Sequence, residues 1–281
     1  NGYFFGSHTV RKLVDDILSY HRISQNNAAL SSLFISIEVC IAVILGEGLY
    51  LIAMIPRAPG EYMKEYAYRL VKEAIMSLQL QPGQSISEVE LASFFQTSRT
   101  PIRAVMTKLK EENLVDVYPQ IGTYVSKISF QLIEEAAFMR FTLEKEILKK
   151  SCQTFSKERL VALARNVAEQ ERLIGQNGKV HEFHRLDKQF HYLIFEENKM
   201  EHVWEEITRL STHYNRMRVL SEMNNNFDVA VTQHTEIIKL IESKDINRVE
   251  QLLYQHVIDP KKYWDYFWEA DTRYSCYFEA R

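Results

Sequence analysis

The sequence predicts a mainly α-helical protein in two parts, a winged helix-turn-helix followed by an all-α bundle of six helices. Three observations lead there. Between residues 61 and 127, short helical patterns separated by a tight turn run directly into a β-hairpin pattern. Beyond Ile128, apolar residues recur at helical spacing with no strand pattern among them. The composition of the 281 residues, 46% hydrophobic and 25% charged with a formal net charge of −3, is that of a globular chain. It excludes wholesale disorder, collagen and coiled-coil rods, and the length suits roughly two domains of about 100–200 residues each. Three widely separated cysteines (Cys40, Cys152, Cys276) argue against a disulfide scaffold and for a reducing, cytoplasmic setting.

The first sixty residues read unlike the rest. Leu33–Ile55 is almost continuously apolar and long enough for a membrane span. Glu38, Glu47 and two glycines interrupt it, however, and carboxylates are costly at a bilayer centre. An anchor and an extra buried helix are two readings. The third, and the expectation, is that the natural start is Met54 or Met63 and this stretch is translated upstream sequence, making residues 1–60 an extra N-terminal segment with Pro56, Pro59 and Gly60 marking the break.

Residues 61–127 form the first domain. Apolar residues at Leu70, Val71, Ala74, Ile75 and Leu78 predict a helix over Tyr62–Leu80, stopped by Gln81-Pro82-Gly83. Ser87 and Glu90 make a capping box for a short helix, Glu88–Phe95. Thr100 as N-cap and Pro101 as first helical residue then start a second helix, which buries Ile102, Val105, Met106 and Leu109 and ends near Glu112-Asn113. Leu114–Tyr118 and Thr123–Ser126 alternate as strands about a Pro119–Gly122 turn. The chemistry sits where that second helix begins. Arg99 and Arg103 are four residues apart with Thr100 beside Arg99, and arginine forks bind guanine bidentately in the major groove. The hydroxyls of Ser98 and Thr100 at a helix N-terminus suit phosphate oxygens. An Arg pair alone fits a solvated helix end equally well; the surrounding helix, turn, helix and wing favour nucleic acid.

Residues 128–257 form the second domain. Helices are expected over Gln131–Cys152, Lys157–Ile174, Lys179–Glu196, Glu201–Ser221, Asp228–Glu242 and Asp245–His256. Phe141, Leu148, Leu160, Leu163, Phe190, Leu193, Ile194, Ile207, Leu210, Ile237, Leu240 and Leu253 would supply the core. Four polar residues interrupt it. Asp187 and His191 share one face of a helix, His234 lies on a later helix, and His256 closes the last. Three imidazoles and a carboxylate suit Zn, Ni, Mn or Fe(II), although single helical histidines are commonly structural. His181, His184 and His213 fit no spacing; Arg216 and Arg218 reach the cavity or lie on a solvated helix face. Residues 258–281 form an aromatic tail, packed on the bundle or meeting a second subunit.

Glu61–Lys127 resembles the winged-helix domain of GntR-type bacterial transcription regulators. The resemblance is carried by Ile75-x-x-Leu78-x-Leu80-x-Pro82-Gly83, Glu90-Leu91-Ala92, Ser98-Arg99-Thr100-Pro101-Ile102-Arg103, Leu109-x-x-Glu112-Asn113-Leu114-Val115 and Gly122-Thr123-Tyr124-Val125. It implies base and phosphate contacts by Arg99, Thr100 and Arg103, and a wing tip at Gly122 in the minor groove. Val89 and Ile121 depart from it, standing where members often carry basic residues. From about Phe130 to Val257 the chain resembles the FCD effector domain of the FadR subgroup, in its VanR-like branch. Asp187-x-x-x-His191, then His234 and His256 22 residues apart, match the signature; Asn198 and the Arg140-x-x-x-Glu144 pair match as well. The resemblance implies a metal held by Asp187, His191, His234 and His256, with Arg140 facing an effector cavity.

The expected function is a dimeric regulator, a repressor of a palindromic double-stranded operator. A small carboxylate would bind beside the metal, alter the packing of the bundle against the winged helices and spoil the half-site spacing. No membrane partner is expected. A metal-dependent hydrolase and a membrane-anchored regulator are the alternatives; the first gives no reason for the winged helix. The near-neutral total does not exclude DNA, because residues 61–127 balance eight basic against eight acidic residues while Leu91–Lys110 holds four basic residues and no acid. Non-specific affinity should accordingly be modest and the salt slope shallow.

Overall fold

The computed structural model describes residues 40–45, 48–53, 56–176, 178–224, 227–269 and 274–280. Part of the membrane-length run (33–39, 46–47 and 54–55) and most of residues 1–60 lie outside them. The described backbone there is a β-hairpin, β1 (Cys40–Leu45) paired antiparallel with β2 (Gly48–Ala53), and not the helix that an anchor or an extra buried helix requires. Among the described residues no helix is long and apolar enough to cross a membrane.

The winged helix follows the predicted order. α1 (Met63–Met76) buries Leu70, Val71, Ala74 and Ile75. In α2 (Glu88–Phe94) the Ser87 hydroxyl accepts from the Glu90 N–H at 3.3 Å, as the capping box requires. α3 (Arg99–Glu111) buries Ile102, Val105, Met106 and Leu109. Its N-cap is Ser98, not Thr100: the chain is still extended at Ser98 (ψ 167°), so Thr100 and Pro101 fall inside the first turn. Proline is harmless there, since first-turn N–H groups have no intrahelical acceptor. β4 (Val115–Tyr118) and β5 (Gly122–Val125) form the wing, and a two-residue strand, β3 (Ser85–Ile86), adds to β5 in the order β3-β5-β4. Two residues are too few to show alternation, so β3 has no periodic signal in the sequence.

The second domain packs α4 (Phe130–Gln153), α5 (Lys157–Leu173), α6 (Val180–Glu197), α7 (Glu201–Leu210), α8 (Thr212–Asn224) and α9 (Asp228–Ser243). The expected single helix over 201–221 is two, because Ser211 leaves helical geometry (ψ 19°) and turns α8 inward. The expected last helix is likewise broken. A 3₁₀ turn (Ile246–Arg248) leads into α10 (Val249–Leu253), a π turn (Tyr254–Ile258) and a second 3₁₀ turn (Asp259–Tyr263). Pro260 has no N–H to offer the His256 carbonyl, so the α-helical ladder cannot continue. The predicted core is buried except at its edges: Phe141, Leu160 and Leu193 are half-buried, and Leu210 is 43% exposed at the end of α7.

The two cores meet at a seam. Leu78, just past α1, belongs to the bundle core together with the linker residue Ile128. The tail packs on that linker. The Ile128 N–H donates to Tyr277 O (2.8 Å), and Phe278 and Trp268 pack their rings against Phe130. The tail, which includes α11 (Asp265–Glu269), thus packs on the bundle through Trp268 and Phe278, though Tyr263 and Tyr266 stay exposed.

Candidate functional site

Two sites emerge, one on the surface of the winged helix and one inside the bundle. At the first, Ser98, Arg99, Thr100 and Arg103 are all exposed around the N-terminus of α3. Gly122 is exposed beside Ile121 at the wing tip. The geometry adds a residue that linear charge counting missed. Glu88, opening α2, lies 3.2 Å from Arg103 Nε and 3.8 Å from an Arg99 terminal nitrogen. Its carboxylate holds both guanidinium groups at the helix end, where phosphates would also sit.

At the second site, Asp187, His191, His234 and His256 are all buried, and one ligand atom of each lies within 4.8 Å of those of the others. His191 Nε2 is 3.2 Å from His256 Nε2 and 3.9 Å from an Asp187 oxygen; His234 Nε2 is 3.4 Å from that same oxygen. What makes the Nε2 atoms converge is how each Nδ1 is held. His234 Nδ1 meets Gln170 Oε1 (2.7 Å), His256 Nδ1 meets Gln233 Oε1 (2.9 Å), and His191 Nδ1 meets Glu144 (3.1 Å). A partner on the far nitrogen fixes ring orientation and tautomer, as at metal-bound histidines. The π turn carries His256 into line, and such turns are frequent at functional sites. Gln170 and Gln233 carry no sequence signal of this role, because a glutamine on a helix ordinarily reads as surface.

Charge in the cluster is set by burial and by arginine. Burial lowers His234 and drives His256 well below the ordinary imidazole value, so both stay neutral. Burial alone would raise Asp187; the Arg218 guanidinium, reinforced by the His234 hydrogen bond, holds it well below the usual carboxylate range. Burial also opposes ionisation of Glu144, yet Arg140 and His191 bring it down to about 2. Imidazole Nε2 atoms converging on one carboxylate are a divalent-metal donor set. The only polar neighbour of buried His234 Nε2 among the described residues is the Asp187 oxygen, 3.4 Å away, a loose contact that a metal held between the two would replace.

Arg140 donates to Glu144 at 2.7 Å and lies 5.0 Å from the Tyr214 ring. Both it and Asp187 line a cavity of about 140 Å³. Asn198 caps α6 and donates to Ser151 and to the Ile194 carbonyl, a structural role. His184 is 2.7 Å from Glu222, and His181 lines the cavity.

The solvated alternative for Arg216 and Arg218 is overturned. Arg216 is 0% exposed and Arg218 7%. Arg218 makes two bonds of 2.9 Å to Asp187, one to each carboxylate oxygen. Arg216 donates to the Ser126 carbonyl (2.8 Å) and hydroxyl (3.1 Å), at the end of the wing strand. From the same helix Thr212 donates to Glu112 O (3.0 Å), while His213 Nε2 meets Asn113 O (2.8 Å) and Nδ1 accepts from the Ser129 N–H (2.9 Å). Glu112 and Asn113 end the α3 helix. α8 therefore grips the metal-type cluster with one residue and the winged helix with three, two of them at the end of α3. A polar helix that is buried almost throughout was the missed signal, because buried polar groups need partners on every side.

Comparison with known proteins agrees with both halves. Residues 63–125 match the bacterial regulatory proteins of the gntR family, and residues 135–259 match the FCD domain. The HTH-type transcriptional repressor RspR of Escherichia coli K12 is 26% identical over 200 residues, spanning 71% of this chain and 87% of its own. The Nta operon transcriptional regulator of Aminobacter aminovorans is 21% identical over 184 residues, 65% of this chain and 85% of its own. Among solved structures, E. coli McbR/YncC superposes with a TM-score of 0.64 at 15% identity, covering 74% of this chain and 100% of that one. A GntR regulator from Rhodococcus sp. RHA1 does so with a TM-score of 0.60 at 18% identity, covering 72% and 96%. These likenesses show the fold. With two adjoining domain matches and relatives named as regulators, the chain is a DNA-binding transcription regulator and not an enzyme, and it belongs to the GntR family, with an FCD domain behind its winged helix.

Proposed function

We propose that this protein is a cytoplasmic, dimeric repressor of the FadR subgroup, VanR-like branch, released from a palindromic operator by a small organic acid. The observation that carries this reading is α8, which is hydrogen-bonded to Asp187 at one site and to the end of α3 at the other. Two sites on one rigid helix are what coupling between them requires. The relative named as a repressor supports the sign of the regulation.

At the operator, Arg99 and Arg103 read base edges, while Ser98, Thr100 and the α3 N-terminus take phosphate and Gly122 brings the wing to the minor groove. Inside the bundle Asp187, His191, His234 and His256 would hold a divalent ion, Zn, Ni, Mn or Fe, which supplies a Lewis-acidic seat for a carboxylate. Arg140 pairs with that carboxylate, for which a guanidinium is well matched. Gln170, Gln233 and Glu144 keep the imidazoles aimed. Any demand on the Asp187 oxygens competes with Arg218, and Arg218 shares a helix with the three residues that grip the winged helix.

Fluorescence anisotropy on a palindromic fragment upstream of the gene tests this, with chelator, with added Zn²⁺ or Ni²⁺, and with short organic acids. Binding that weakens when acid and metal are both present is the expected result. Binding indifferent to every combination defeats the regulatory part of the reading.

A further inference from the structure

We propose that the effector cavity is shared between the two domains, so that a short hydroxylated carboxylate bound there rests directly against the winged helix. This builds on the reading of Arg140 as the carboxylate's partner and adds what the remaining walls recognise. The inner end of the cavity is Arg140 and Asp187, on α4 and α6. A facing wall is Glu73, Met76 and Ser77, the last turn of α1 and its C-cap, which belong to the DNA-binding domain. The next buried residue, Leu78, already sits in the bundle core, so this turn of α1 is the seam itself.

The third wall comes from the end of α7 and the bend into α8. Trp204 Nε1, Thr208 Oγ1 and Ser211 Oγ line the cavity region, are shielded from solvent, and have no hydrogen-bond partner among the described residues. Trp204 is 6% exposed and Ser211 1%. Buried polar groups in folded proteins are nearly always satisfied, so three orphans around one cavity call for a ligand with several hydrogen-bonding oxygens. The indole is a donor only and the two hydroxyls can donate or accept. A carboxylate at Arg140 followed by hydroxyl-bearing carbons meets all of them; an alkyl acid leaves them unmet. Volume sets the size. The cavity is about 140 Å³, and a cavity of about 150 Å³ holds a molecule as large as benzene. The match is an acid of three or four carbons.

With α1 as one wall, ligand and winged helix compete for or share the same space. The signal then has a direct contact besides the α8 connection, because the DNA-binding domain is part of the site.

Calorimetry on the full chain in the presence of Zn²⁺ tests this, using D-glycerate and L-threonate as probes and propionate and butyrate as hydroxyl-free controls. The hydroxy acids should bind at least about tenfold tighter than the alkyl acids, since a site built to bond a hydroxyl rejects the analogue lacking it. The near-isosteric pair Thr208→Val with Ser211→Ala should erase that preference. Met76→Trp, which narrows the cavity from the DNA-binding side, should weaken the hydroxy acids by about tenfold or more. Exposed Glu73→Ala, which does not threaten the fold, should shift their affinity in the same assay. Binding abolished by Arg140→Met but indifferent to Met76→Trp and Glu73→Ala would seat the ligand wholly in the bundle, overturning the shared site while leaving the effector reading intact. Alkyl acids binding as tightly as hydroxy acids overturn the ligand class. If no acid binds to metal-loaded protein, the effector reading falls and the shared site with it.

Discussion

α3 and α8 are each 13 residues long, and each carries two close arginines. On α3, Arg99 and Arg103 have side chains 54% and 64% exposed and, among the described residues, are paired with Glu88. On α8, Arg216 and Arg218 are buried, and their terminal nitrogens bond to named oxygens on other elements. The same residue type is used in opposite ways. An exposed guanidinium at a helix N-terminus keeps its donors for an external anion. A buried one has committed its terminal nitrogens inside, and its loss is felt by the fold. The surface pair is placed as the proposed DNA contact requires; the buried pair connects the domains and the cluster.

The largest expected effect comes from breaking the buried side of that contrast. Arg218→Ala leaves Asp187 a buried, uncompensated carboxylate and should cost about 3–5 kcal/mol in urea unfolding, the usual penalty for removing one partner of a buried pair. Replacing both, Arg218→Met with Asp187→Leu, should recover most of the loss while preventing metal retention by elemental analysis. A double variant no more stable than Arg218→Ala would mean that the ion pair is not what the arginine is for.

Arg99→Ala and Arg103→Ala should behave in reverse. Unfolding stability should change by no more than about 0.5 kcal/mol, as at other exposed positions, while operator affinity falls by about 1–3 kcal/mol per arginine and discrimination relaxes at the contacted base. Anisotropy with base-substituted operators reads both. A loss equal on every sequence would reassign the arginine to phosphate.

The difference between the two helices also explains what the sequence revealed. The Ser98–Arg103 block was legible because it sits on a surface, where short motifs and turn chemistry act locally. Asp187, His191, His234 and His256 were legible in part because helical spacing puts the first two on one face and polar residues stand out against apolar neighbours; reading all four as one metal set took the resemblance to the FCD domain. Arg216, Arg218 and His213 were not, for their partners lie 31 to 100 residues away. A helix of mixed polar residues looks solvated until the fold shows that everything around it is protein. The break at Ser211 and the π turn at Tyr254–Ile258 were missed for the same reason: each departs from helix to aim one residue, and no local preference records the target.

His213 offers a smaller, pH-dependent effect. Burial, reinforced by the Arg216 charge, pushes its imidazole from 6.5 down to about 3. The docked ring is therefore neutral, and the unfolded chain accepts a proton that the docked ring refuses. Stability is then full above about pH 6.5 and drains away as pH falls towards 3, on the order of 1 kcal/mol per pH unit within that window. Urea unfolding of wild type against His213→Gln at pH 7.5 and pH 5 checks it: the wild type should lose more on acidification, by an amount the variant does not show. An equal loss in both would assign the acid sensitivity elsewhere.

The smallest effect concerns Glu88, whose carboxylate faces Arg99 and Arg103 across the start of α3. As a surface ion pair it contributes little stability, about 0–1 kcal/mol, but it stands where phosphates approach. On the proposed reading the arginines exchange this carboxylate for the operator, so the pair would work against binding without regard to sequence. Glu88→Gln keeps the shape and removes the charge. Non-specific fragments should then bind about two- to fivefold tighter at low salt, with a salt slope steeper by up to about one unit as a guanidinium is freed for phosphate. Specific affinity should rise less, because base contacts demand the same arginine orientation whether or not Glu88 is charged. Arg103→Ala in the Glu88→Gln background separates the causes. If the non-specific gain disappears, Glu88 acts by restraining Arg103; if it persists, the carboxylate acts by simple repulsion of DNA, and the exposed arginines are freer than the geometry of α2 and α3 implies.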